Sequence, residues 1–76
     1  MQKGIYEHYK GKLYEVIDIA LHTETNEKTV LYHALYECPE LQEEYGNNPI
    51  FARPYSMFFE DVEYEGKTVP RFKLIK

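Results

Sequence analysis

Leu13–His22, L-Y-E-V-I-D-I-A-L-H, is the stretch that decides the fold. It is rich in β-branched and apolar residues and holds neither Gly nor Pro, so it predicts a long strand. Its alternation is imperfect. Leu13, Ile17, Ile19 and Leu21 share one parity, and Tyr14, Val16 and Ala20 share the other. A strand apolar on both faces belongs near the centre of a sheet, with one side in the core and the other partly covered. The polar run His22–Lys28 reads as a hairpin loop. Thr29–Tyr36, T-V-L-Y-H-A-L-Y, follows as a second strand. These two strands are expected to form the longest hairpin.

The flanks supply shorter pieces. Ile5–Tyr9 reads as a strand closed by a Lys10-Gly11 turn, where Gly tolerates positive φ. Pro39–Gly46 reads as one to two turns of helix: Pro at the start lacks the amide hydrogen that would go unpaired, and Gly46 suits the C-terminal end. Leu41 and Tyr45 are four apart on that helix and can share a face. Ile50–Arg53 is a short strand, Pro54-Tyr55-Ser56 a turn, and Met57–Tyr64 a returning strand. After Glu65-Gly66, Val69–Ile75 is the last strand, with Phe72 and Leu74 on one face and Arg71 and Lys73 on the other. The expected fold class is all-β: one domain over residues 1–76, a small SH3-like barrel of five or six short strands with a helical insertion near residues 39–45. An oligonucleotide-binding barrel is the second choice and an α+β domain the third.

Composition bounds the function. The chain has 76 residues, 9 Lys plus Arg against 13 Asp plus Glu, and a net charge of −4. That length allows one small core and excludes the large α/β enzyme folds of about 200 residues or more. An acidic balance argues against non-specific nucleic-acid binding, where a positive footprint is usual. Charge is nonetheless uneven: Glu37, Glu40, Glu43 and Glu44 crowd the middle, while Arg53, Lys67, Arg71, Lys73 and Lys76 lie in the last third. Cys38 is the only cysteine, which excludes an intrachain disulfide and points to a reducing, cytoplasmic setting. No run approaches the roughly 18 apolar residues of a membrane span, and the N-terminus has no apolar leader.

No P-loop, H-E-x-x-H or G-x-S-x-G motif is present, so no catalytic residue and no cofactor are assigned. His8, His22 and His33 are scattered, and with one Cys they supply no evident four-ligand zinc set. Eight tyrosines exceed what so small a core can bury. They either wall the core with their hydroxyls in water or form a binding surface. A binding module would present an aromatic and basic rim of Tyr6, His8, Tyr32, Arg53 and Arg71. Arg offers a planar fork for carboxylate or phosphate, and Tyr offers stacking area. A peptide or a small anionic ligand suits that rim better than nucleic acid does, given the net charge. In the plainer reading each Arg pairs with an acid such as Glu60 or Glu63 and pins the strands. A different class is a small enzyme or metal-dependent protein in which His8 and His22 act with Glu24 as orienter. A structural or accessory role is the third.

The run Gly4-x-Tyr6-x-His8-Tyr9-Lys10-Gly11-x-x-Tyr14-x-Val16 resembles a small bacterial family known as domain of unknown function 1653. The resemblance continues through Ala20-x-His22-x-Glu24-Thr25-x-Glu27, Val30-x-Tyr32 and Leu35-Tyr36. It resumes at Arg53-Pro54-x-x-Met57-Phe58-x-Glu60-x-Val62 and closes on Gly66-x-x-x-Pro70-Arg71-Phe72. It implies a stand-alone cytosolic protein or a small fused domain, and no named activity. It marks His8, Lys10, His22, Glu24, Thr25, Arg53 and Arg71 as motif positions, which adds His22 and Glu24 to the candidate binding residues. Residues 38–49 depart from the family pattern, which has a shorter connection there and a Trp near the position of Phe51.

Overall fold

The computed structural model describes residues 2–76. Strands β1 (Gly4–His8), β2 (Leu13–His22) and β3 (Glu27–Ala34) precede helix α1 (Pro39–Tyr45). Strand β4 (Phe51–Pro54) leads into helix α2 (Tyr55–Phe58), then β5 (Asp61–Tyr64), β6 (Lys67–Pro70) and β7 (Phe72–Leu74). Five strands form one antiparallel sheet in the order β4-β3-β2-β1-β7, and β5 and β6 form a separate two-stranded ribbon.

The imperfect alternation of β2 has a local cause. Val16 faces Tyr32 and Asp18 faces Leu31, so Ile17 is a β-bulge that shifts the register by one. The shift reverses parity midway along the strand. Tyr14 and Val16 face the core before the bulge, and Ile19 packs against the core after it. The core is Tyr6, Val16, Val30, Tyr32, Phe58 and Phe72, so aromatic rings fill most of it.

The expected SH3-like barrel is not what forms. The sheet stays open, because its edge strands β4 and β7 do not pair with each other. Helix α2 lies in the way. Pro54 fixes its own backbone at φ −53° and ends β4, and the Phe59 amide donates to the Tyr55 carbonyl at 3.2 Å. Phe58 is fully buried, while Tyr55 and Phe59 are half-buried on the same core. That spacing is a helix face, and it replaces the strand expected from Met57. The strand expected over Val69–Ile75 is likewise two pieces. β6 pairs with β5 and β7 pairs with β1, with the change of partner at Pro70-Arg71.

Helix α1 falls where the sequence predicts it. It begins with Pro39, and the Gly46 amide closes it on the Gln42 carbonyl at 3.0 Å with Gly46 at φ 93°. It buries no residue. Among the described residues no helix is long and apolar enough to cross a membrane.

Candidate binding face

Strand β1 delivers His8 opposite Phe72 of β7, and the two rings meet edge to face at 5.0 Å. The β1–β2 turn is tight: the His8 amide donates to the Lys12 carbonyl at 2.8 Å and the Gly11 amide to the His8 carbonyl at 2.7 Å. His8 Nδ1 accepts the Lys10 amide hydrogen at 3.2 Å, so in the neutral ring the proton sits on Nε2. Burial lowers the His8 pKa, and the charges of Arg71, Arg53 and Lys10 lower it further.

Arg53 sits on β4 opposite Val30. Its guanidinium carbon lies 5.9 Å from the Phe72 ring centroid, and its Nε–H donates to the Tyr32 hydroxyl at 3.2 Å. Arg71 follows β6. Its Nη2 donates to Glu60 Oε1 at 2.5 Å, and its amide donates to the Glu60 carbonyl at 3.0 Å. The Arg71 carbonyl accepts from the Tyr9 amide at 3.0 Å, so the backbone here is clamped on both sides. Arg71 Nε is buried without a hydrogen-bond partner. The expected pairing of Arg71 with an acid is therefore present through Glu60, and one guanidinium donor, closed off from solvent, stays unpaired.

His8, Tyr32, Arg53 and Arg71 thus gather around Phe72. Tyr6 belongs beneath them: it is buried, its hydroxyl donates to the Gln2 carbonyl at 2.6 Å, and burial raises its pKa. His22 and Glu24 do not join them. They lie exposed at the β2–β3 turn, which β2 carries about 30 Å from the β1–β2 turn that holds His8, at ~3.3 Å per residue; there His22 Nδ1 accepts the Glu24 amide hydrogen at 3.3 Å. Among the described residues no three His, Cys, Asp or Glu side chains gather as a metal-ligand set.

Sequence reasoning missed two groups. Lys12, Tyr14, Tyr36 and Tyr64 border the face together with Tyr9 and Lys10. Tyr14 and Tyr36 join hydroxyl to hydroxyl at 2.7 Å, and burial followed by that bond raises the Tyr14 pKa. The legible signal was Tyr9-Lys10-Gly11-Lys12, a turn with cations on both sides of its glycine. The second group is on the opposite sheet face. His33 Nε2 meets Glu15 Oε1 at 2.8 Å, and His33 Nδ1 meets Asn48 Oδ1 at 3.1 Å. A cleft of about 270 Å³, lined in part by Tyr36, Cys38, Gln42 and Asn48, lies under the α1 segment and away from the arginines.

The family model for proteins of unknown function DUF1653 matches residues 4–74. The chain belongs to the DUF1653 family. A crystal structure of a DUF1653 protein from Bordetella bronchiseptica superposes with a TM-score of 0.84 at 31% identity, covering 99% of this chain and 87% of that one. No curated protein matches. The motif positions of this DUF1653 chain separate into two places: His8, Lys10, Arg53 and Arg71 meet at the Phe72 face, and His22, Glu24 and Thr25 lie at the β2–β3 turn.

Proposed function

We propose that this DUF1653 protein is a non-catalytic binding module that takes an anionic group on the face formed by His8, Arg53 and Arg71. The carrying observation is unbalanced charge over an aromatic bed. Three cations, Lys10, Arg53 and Arg71, act together on His8, and one carboxylate, Glu60, pairs with one of them, Arg71. The Nη groups of Arg53, which have no hydrogen-bond partner among the described residues, suit a carboxylate or phosphate oxygen, with the Arg71 charge beside them, because charge-assisted N–H···O bonds are the strong ones. Neutral His8 supplies one more donor through Nε2. Phe72 and Tyr32 hold the cluster rigid from below, which lowers the ordering cost of binding.

The test is titration calorimetry with pyrophosphate and citrate, with glycerol as the uncharged control. The anions bind and glycerol does not. Arg53→Ala weakens binding at least tenfold, as loss of a charge-assisted hydrogen bond of about 1.5–3 kcal/mol requires. Equal heats for all three ligands, or an unchanged affinity in Arg53→Ala, defeat the reading.

A further inference from the structure

Tyr64, Tyr9, His8, Tyr14 and Tyr36 form an unbroken run of ring contacts, with successive centroids 5.1, 4.4, 6.3 and 5.5 Å apart. The run starts at the end of β5, passes the β1–β2 turn and finishes just beyond β3. Tyr64 and Tyr36 are exposed, and the three rings between them are half-buried. Cations punctuate it. Lys10 Nζ lies 5.8 Å from the Tyr9 centroid and Lys12 Nζ lies 4.9 Å from the Tyr36 centroid. Arg53 lies over Phe72, the ring on which His8 packs, and Arg71 immediately precedes Phe72. Among the described residues no carboxylate lies within ion-pair distance of Lys10, Lys12 or Arg53. A chain with a net charge of −4 has gathered a positive, aromatic band on one face.

We propose that this band binds a short single-stranded oligonucleotide, with bases stacked on Tyr9, Tyr36 and Tyr64 and phosphates held by Lys10, Lys12, Arg53 and Arg71. The proposal rests on the reading of the arginine face as an anion-binding surface and names its ligand. Interleaved aromatic rings and cations are what a single strand needs, because every base offers a π-face and every nucleotide a phosphate. The rings are spaced wider than the ~3.4 Å rise of stacked bases. Neighbouring rings also turn steeply, by 69° at Tyr9–Tyr64 and 82° at Tyr14–Tyr36. Bases therefore bind splayed apart, as an unpaired strand allows and a duplex does not. An acidic peptide supplies the charges but no row of flat rings. The lysines now over Tyr9 and Tyr36 swing to phosphate at small cost, since an exposed cation–π contact is weak.

Fluorescence anisotropy tests this with 5′-labelled octathymidylate, labelled octauridylate and a labelled octaglutamate peptide. Both oligonucleotides bind more tightly than the peptide. Log affinity falls with log salt at a slope of about −3, as four phosphate contacts on a single strand require. Tyr9→Leu and Tyr36→Leu each weaken oligonucleotide binding between about fivefold and a hundredfold and leave peptide binding unchanged. Lys10→Glu with Lys12→Glu, both on exposed side chains, abolishes oligonucleotide binding while the near-ultraviolet circular dichroism stays that of the parent. Oligonucleotide binding that ignores all four substitutions overturns the proposal. Peptide binding that depends on Arg53, with no oligonucleotide binding, overturns the ligand and leaves the anion face standing. No binding of any probe, together with no response to pyrophosphate, removes both.

Discussion

Phe58 and Phe72 stack face to face, with ring centroids 4.1 Å apart and planes within 2° of parallel. Phe58 comes from the four-residue α2 and Phe72 from the three-residue β7. Neither element is stable alone, so this contact joins two pieces that each need the other. Tyr6 and Tyr32 meet Phe58 edge-on at 5.4 Å each. Phe58→Ala is expected to cost about 3–5 kcal/mol, the usual loss for a fully buried Phe. A domain of this size holds roughly 4–11 kcal/mol in total, so the variant lies near the edge of folding. Urea denaturation checks this. A loss under about 1 kcal/mol means that the core closes without α2.

Phe58 also shows where the sequence was hard to read. Leu13–His22 was legible as a strand because no competing signal interrupts it, and Pro39–Tyr45 because both of its ends carry terminus chemistry. Tyr55, Phe58 and Phe59 have helical spacing, but their residue types favour strand, and a four-residue element gives periodicity no room to repeat. The bulge at Ile17 hid more. Counted back from the β2–β3 turn without it, Glu15 faces Ala34; with it, Glu15 faces His33. A single extra residue therefore concealed a His–carboxylate pair. His8, Arg53 and Arg71 were legible as residue types, while their meeting depends on β7 pairing with β1, a contact across almost the whole chain.

Gly4 is expected to resist substitution. Its φ is +150°, and a Cβ there would lie 2.5 Å from the Lys76 carbonyl oxygen. That oxygen accepts the Ile5 amide at 2.6 Å and extends the β1–β7 pairing. The clash is with backbone, so relieving it means moving the terminal residues off β1 and losing the Ile5 hydrogen bond. Gly4→Ala should destabilise by about 1–3 kcal/mol and loosen residues 75–76, read as faster amide exchange at Ile5 and Ile75. Unchanged exchange and stability refute this.

The two half-buried histidines should titrate in opposite directions. Hydrogen bonding to Glu15 is the largest influence on His33 and raises its pKa above 6.5; burial opposes it and Asn48 assists. Its stabilisation is complete below the unfolded value of about 6.5 and is lost as pH rises through the folded pKa. His8 is lowered, so its contribution is complete above about 6.5 and is lost as pH falls through its folded pKa. Nuclear magnetic resonance titration should place His33 above 6.5 and His8 below it. In Glu15→Gln the fall in melting temperature above pH 6.5 should shrink and the fall on the acid side should remain. A single shared midpoint for both rings contradicts this.

Shortening the α1 segment is expected to leave the sheet intact. Helix α1 buries nothing, and Leu41 and Tyr45 are 38% and 64% exposed, so the face they share covers little. The ties to the body come later, from Pro49, which is buried, and from Asn48 through His33. Gln42 holds only its own segment, donating through Nε2 to the Asn47 carbonyl at 3.0 Å. Replacing residues 39–46 with a short Gly-containing turn while keeping Asn47–Pro49 should change stability by less than about 1 kcal/mol, since loop closure entropy varies slowly with length. It should also open the cleft between Tyr36 and Asn48 without moving the His33 titration. Asn48→Ala in the full-length chain is the complement: it should lower the His33 pKa and leave α1 formed. If the shortened chain loses several kcal/mol instead, Leu41 and Tyr45 are anchoring the sheet in solution.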